Sequence, residues 1–178
     1  MQQRYHRVSI GFHWLVAVMI IGLLALGLIM VELPKPDKYA FYGWHKAFGI
    51  IVLALVVLRL GWRLKQKPPA LPSTTPVWQA IASHVTHWAL YTMMLVMPLA
   101  GWVMSSAGGH PVSVFGISIP AIVGEDKELG KLAHDVHQVG AWIFIALIAL
   151  HIGAALFHHF VQKDGLLHRM WPKKTNYR

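Results

Sequence analysis

The chain has 178 residues, of which 56% are hydrophobic and only 13% charged, and its formal net charge is +9. Ordinary soluble domains carry roughly 25% charged residues; here no Asp, Glu, Lys or Arg occurs from Pro68 to Gly124 or from Val136 to Gln162, which excludes a soluble domain. The basic balance does not indicate nucleic acid, because the basic residues flank apolar runs, and the lack of cysteine excludes disulfides, thiol catalysis, cysteine-ligated iron–sulfur clusters and covalent haem attachment through C-x-x-C-H.

A membrane-spanning helix needs about 20 apolar residues, and four such spans are expected. The first covers residues 8–31. Arg4 and Arg7 precede it as in a signal peptide, but no small-residue cleavage site follows, so it is expected to stay as an uncleaved helix. Pro34 and Pro36 then break the chain. The second span covers residues 41–62, and the lysine- and proline-rich stretch Lys65–Pro76 is an exposed loop. The third covers 77–104, with Pro98 as an expected kink. Gly108–Gly130 reads as a long, mildly apolar loop resting on the membrane surface, and the fourth span covers 131–162. Residues 1–178 are read as one all-α domain, an integral membrane four-helix bundle in contact with lipid.

Four spans put both termini on one side. That side collects eleven Lys and Arg residues: Arg4 and Arg7; Arg59, Arg63, Lys65 and Lys67; Lys163, Arg169, Lys173, Lys174 and Arg178. The other side has five (Lys35, Lys38, Lys46, Lys127 and Lys131) and six of the seven acids. The positive-inside rule therefore predicts cytoplasmic termini.

Twelve histidines are present, several inside apolar spans, where ionisable groups are costly and mark functional positions. His137 and His151 lie fourteen residues apart in the fourth span, a spacing that returns to nearly the same helix face and separates them by roughly 21 Å. Two ligands on one face at two depths suggest two stacked cofactors. Matching depths on facing helices pair His13 with His151 and His45 with His137, as bundles build cofactor sites, and imidazole is an axial haem ligand. Arg59 follows His45 by fourteen residues and falls at the depth of the inner pair, as a partner for a haem propionate or as a plain interfacial anchor. Gly27 follows His13 by fourteen, at the depth of the outer pair; Gly49, Gly140 and Gly153 are further places where a flat macrocycle could approach backbone. His84, His87, His158 and His159 compete with His13 at the inner level. His134 is about 100° off the face of His151, and His6, His110 and His168 read as solvated.

Phe12–Trp14 (F-H-W), Trp44–Ile50 (W-H-K-x-x-G-I), Arg59–Arg63 (R-L-x-W-R), His84–His87 (H-x-x-H), the His137/His151 pair and His158–Met170 (H-H-x-x-x-K-D-x-x-L-x-R-M) together resemble the bacterial cytochrome b561 family of four-helix membrane cytochromes, over Arg7 to Pro172. The resemblance implies two b haems, ligated by His13/His151 and His45/His137, in the bacterial inner membrane. It further implies a superoxide oxidase-like reaction that takes electrons from superoxide on the periplasmic side and reduces ubiquinone, with Ser9 and His158 near the quinone. The chain departs from many members in having Leu166 where a threonine follows K-D-x. Lys46, Lys127 and Lys131 form a cluster that could meet an anionic donor, although acids outnumber bases on that side. The second functional reading is a membrane electron relay for a partner dehydrogenase, resembling hydrogenase b-type subunits. A third is a metal transporter that uses the histidines without haem and would purify colourless.

Overall fold

The structure is a computed structural model describing residues 4–172; Lys173, Lys174 and Arg178, counted above on the basic side, lie outside them. Four helices among the described residues are long and apolar enough to cross a membrane: α1 (Arg7–Met30), α2 (Asp37–Lys65), α3 (Val77–Ala107) and α4 (Lys127–Phe157). The protein is thus an all-α helical membrane bundle.

Each helix begins and ends where local chemistry allows. The imidazole of His6 accepts the Val8 N–H at the start of α1. α2 has Asp37 in its first turn and Arg63 and Lys65 in its last, complementing the helix dipole at both ends. α3 runs helical through Pro98. α4 starts one turn earlier than the apolar pattern predicted, because the Asp126 carboxylate accepts the N–H groups of Glu128 and Leu129, both at 3.0 Å, a standard N-cap. Beyond Phe157 the chain makes a π-helical turn, His158–Gln162, and leaves it through Lys163 in the left-handed region.

The segment expected as a plain loop contains a small antiparallel hairpin, β1 (Val112–Val114) and β2 (Ile117–Ile119), with Val112 opposite Ile119. Phe115 and Gly116 at its tip both have positive φ, the requirement of a two-residue hairpin turn whose twist matches the strands. Phe-Gly is a weaker signal for it than Asn-Gly, so pattern reading passes over it.

The N-terminal residues, the α2–α3 loop and the C-terminal segment meet at one end of the bundle. The Tyr5 N–H donates to the Arg169 carbonyl, the Arg169 guanidinium to the Ala70 carbonyl at 2.9 Å, and the Trp14 indole to the Met170 carbonyl at 2.9 Å. At mid-height Val16, Ile20, Val52, Val56, Tyr91, Met94, Met97 and Phe144 form the core. Outward-facing side chains such as Leu15, Val18, Leu58, Trp88, Trp142 and Leu150 stay exposed; with lipid as the surrounding solvent this is the low-energy arrangement.

Candidate functional site

Two opposed histidine pairs lie at two levels of the bundle, separated by the apolar core. At the end bearing the termini, the rings of His13 on α1 and His151 on α4 stand 6.2 Å apart between centroids. Toward the other end, His45 on α2 and His137 on α4 stand 6.1 Å apart. Phe144, 4% exposed, lies seven residues from each α4 histidine and closes the space between the levels.

The upper pair opens on a cavity of about 1390 Å³ whose lining includes His45, His137, Gly27, Gly49, Gly101 and Trp102. At two of these positions a side chain would crowd a histidine ring. A Cβ at Gly27 would sit 3.3 Å from Cε1 of His45, and one at Gly101 would sit 3.3 Å from Cε1 of His137; each ring thus rests against a bare stretch of backbone on the neighbouring helix. Gly27 was anticipated from its spacing to His13; Gly101 was not, although it follows His87 by the same fourteen residues. Gly49 and Gly153 face open space, whereas a Cβ at Gly140 would meet Met97 Sδ at 2.6 Å, so Gly140 serves the close packing of α3 and α4. Gly27→Leu and Gly101→Leu are each expected to displace the adjoining imidazole and to lower haem content, as checked by the pyridine haemochrome assay and the reduced-minus-oxidised spectrum.

His137 Nδ1 donates to the Met97 carbonyl at 2.9 Å. That bond fixes the tautomer and leaves the Nε2 lone pair free, the usual way a metal-binding imidazole is oriented. His45 Nδ1 is buried without a partner. A buried polar atom left unpaired costs about 1–3 kcal/mol.

At the lower level Arg59 lies where the fourteen-residue offset predicted, and donates to His13 Nδ1 at 3.1 Å. Its guanidinium and that of Arg63 each lie 5.3 Å from the Tyr91 ring centroid. With Nδ1 accepting, the His13 proton is on Nε2; ligation through Nε2 requires the proton to move to Nδ1 and releases Arg59. A third imidazole, His87, stands 5.3 Å from His151 and is held by a 2.6 Å bond to the Ser83 carbonyl. The H-x-x-H spacing pointed to His87 only as a competitor. His84 instead bonds the Ala80 carbonyl and is exposed.

The remaining predicted residues divide. Lys46 and Lys127 both line the cavity, together with Glu32, Glu125 and Asp126, and Lys131 does not. Lys46 also ties α2 to the hairpin, donating to the Pro111 carbonyl at 3.1 Å and to Ser105 Oγ at 3.4 Å. Ser9 accepts the Trp62 indole N–H at 3.0 Å. His158 Nδ1 lies 2.5 Å from Asp164 Oδ2, a partner that sequence reasoning did not single out. Among the described residues no group of three His, Asp or Glu side chains converges as a metal-ion site.

Residues 4–173 match the prokaryotic cytochrome b561 family. The chain belongs to that family. It is 36% identical to cytochrome b561 homolog 2 of Escherichia coli (strain K12), covering 98% of this chain and 94% of that protein. It is 31% identical to cytochrome b561 homolog 1 of the same organism, over 96% and 98%, and 31% identical to a probable superoxide oxidase, CybB, of Yersinia pestis, over 98% and 99%. Cytochrome b561 proteins transfer electrons across membranes and bind haem b, so this is a bacterial membrane electron-transfer protein.

The residues present fit that group. The rings of His13 and His151, and of His45 and His137, stand 6.2 and 6.1 Å apart between centroids, room for one iron in each pair, so these residues would be able to hold haem b, which would supply a one-electron centre. The His45/His137 level adds a cavity walled by two bare glycine backbones and an orphaned imidazole nitrogen; the His13/His151 level adds the Arg59 guanidinium, suited to a propionate carboxylate.

Proposed function

We propose that the protein is a di-haem transmembrane oxidoreductase that takes electrons from superoxide, or a similar small periplasmic donor, and delivers them to ubiquinone near the cytoplasmic face. The observation that carries this reading is the pair of opposed histidine couples, equal in separation and stacked about 21 Å apart along α4. His45 and His137 would hold the outer haem b and His13 and His151 the inner one. Haem b supplies a reversible one-electron centre at each level. The end bearing the termini faces the cytoplasm in this reading, supported by its excess of basic residues.

The chemistry balances as two one-electron steps. Two superoxide anions lose one electron each and leave as O₂; ubiquinone takes both electrons and two protons to become ubiquinol. The chain's tasks follow from that balance. Lys46 and Lys127 at the cavity mouth, with Lys131 on the next turn of α4, attract the anion, against the opposing field of Glu32, Glu125 and Asp126. The apolar core between the two levels excludes water. Ser9 and His158 offer hydrogen-bonding groups to a quinone headgroup. The likeness to the Yersinia pestis protein supports superoxide as the donor.

Stopped-flow mixing of the purified holoprotein with superoxide and then ubiquinone tests the reading: rapid appearance of the reduced haem bands followed by quinone-dependent decay is expected, and no reduction by superoxide overturns it. The triple variant Lys46→Gln, Lys127→Gln, Lys131→Gln is expected to slow the first phase several-fold at low salt. The difference should fade at high ionic strength, since the Debye length falls from about 10 Å at 0.1 M to about 3 Å at 1 M. An uncharged reductant should not distinguish the variant from the wild type.

A further inference from the structure

The segment that leaves α4 is built more rigidly than a tail requires. After the π turn, Lys163 at φ 52 and Gly165 at φ 77 reverse the chain. Asp164 Oδ1 accepts the Leu166 N–H at 3.0 Å, and a short 3₁₀ turn, Leu167–Arg169, follows. Arg169, only 5% exposed, bonds the Ala70 carbonyl, and the next residue receives the Trp14 indole. The strap is thus tied to α1 and to the α2–α3 loop, and its geometry sets where the Asp164 carboxylate points. Oδ2 is 2.5 Å from His158 Nδ1, with the two side chains 26% and 19% exposed. A carboxylate accepts from Nδ1–H and thereby turns Nε2 toward other chemistry; no group among the described residues bonds His158 Nε2. Ser9 lies on α1 between Tyr5 and Trp14, the two residues that bind the strap, so the dyad and Ser9 share one end of the bundle.

We propose that Asp164 is the positioning residue of a proton-delivering dyad, holding His158 with Nε2 directed at a quinone carbonyl oxygen and stabilising the imidazolium before it gives up its proton. This inference rests on the quinone-reducing reading above. As the two electrons reach the quinone, one proton passes from Nε2 to the carbonyl oxygen that it faces, and the dyad regains it from cytoplasmic water; the opposite carbonyl oxygen takes the second proton from water, which completes ubiquinol. Asp164 touches no quinone atom. It acts through the tautomer and the charge of His158, much as a carboxylate orients the general base in hydrolases.

The test uses photoreduced holoprotein mixed with a short-chain ubiquinone while the haem bands are followed. Asp164→Asn keeps an oxygen for the Leu166 N–H but cannot accept from Nδ1–H and hold a charge. It is expected to slow reoxidation about tenfold or more, to leave haem content and reduction by superoxide unchanged, and to resist rescue by added quinone, a fall in kcat rather than a rise in KM. Asp164→Glu should recover most of the rate. The double variant with His158→Ala should be no slower than His158→Ala alone, because residues acting as a unit are not additive. Should the Asn variant lose haem, Asp164→Ser, which also retains an acceptor for Leu166, takes its place in the same comparison. Wild-type reoxidation in the Asn or Ser variant, or a double variant slower by the product of the two single effects, overturns the inference alone. Failure of ubiquinone to reoxidise the wild type, while ferricyanide does so, overturns the functional reading and this inference with it.

Discussion

His137→Ala is expected to purify with one haem b per chain in place of two, and His151→Ala likewise, with complementary spectra: the first keeps the inner haem and the second the outer. The pairs share no residue, and the core of Val16, Val52, Met94 and Phe144 lies between them, so loss of one cofactor need not collapse the other site. His13 and His45 variants should copy the losses of their partners. Pyridine haemochrome assay per mole of protein and low-temperature spectra of the α bands check this. The most instructive case is His13→Ala, because His87 stands closer to His151 than His13 does. The 5.3 Å separation is shorter than the roughly 6 Å expected of two imidazoles sharing one metal, so His87→Ala should retain both haems. Retention of both by His13→Ala with loss in His87→Ala would reverse the assignment.

Arg59→Leu is expected to lower the midpoint potential of the inner haem and to leave the outer one unchanged. A nearby positive charge favours the reduced, less positive iron, so removing it makes reduction harder and the potential falls. At about 10 Å and an effective dielectric near 20 the interaction is on the order of 1.7 kcal/mol, or about 70 mV for one electron. Arg59→Lys should recover part of the shift, since charge returns without the planar fork. Redox titration with both α bands resolved measures it, and superimposable titrations of wild type and Arg59→Leu would reduce the residue to an interfacial anchor. Arg63 shares the Tyr91 ring with Arg59 and can compensate in part, so the double variant with Arg63→Leu should fall further than either single one.

The sequence by itself carried the spans, the even helix count and the level of each histidine. Those properties depend on one-dimensional quantities: the length of an apolar run, the rise of about 1.5 Å per residue and the angle of about 100°. The pairs His13/His151 and His45/His137, and Arg59 beside the lower pair, were legible for the same reason, and the rings do face each other in those combinations. What depends on the third dimension was not legible. Which backbone a ring rests against is decided by the lateral packing of helices, so spacing marks Gly101 as fourteen residues after His87 but does not show that it meets His137, nor that the Met97 carbonyl meets His137 Nδ1. The hairpin at Val112–Ile119 and the early start of α4 at Asp126 depend on turn and cap geometry within a segment whose composition reads as loop. The division of the lysines, with Lys46 and Lys127 at the cavity and Lys131 outside it, was settled by where the α3–α4 connection folds back over the far end. Asp164 is six residues from His158, too far for one helical turn and too near for a second helix; only the left-handed residue at Lys163 and the tethering of the strap to α1 and the α2–α3 loop bring its carboxylate onto the imidazole.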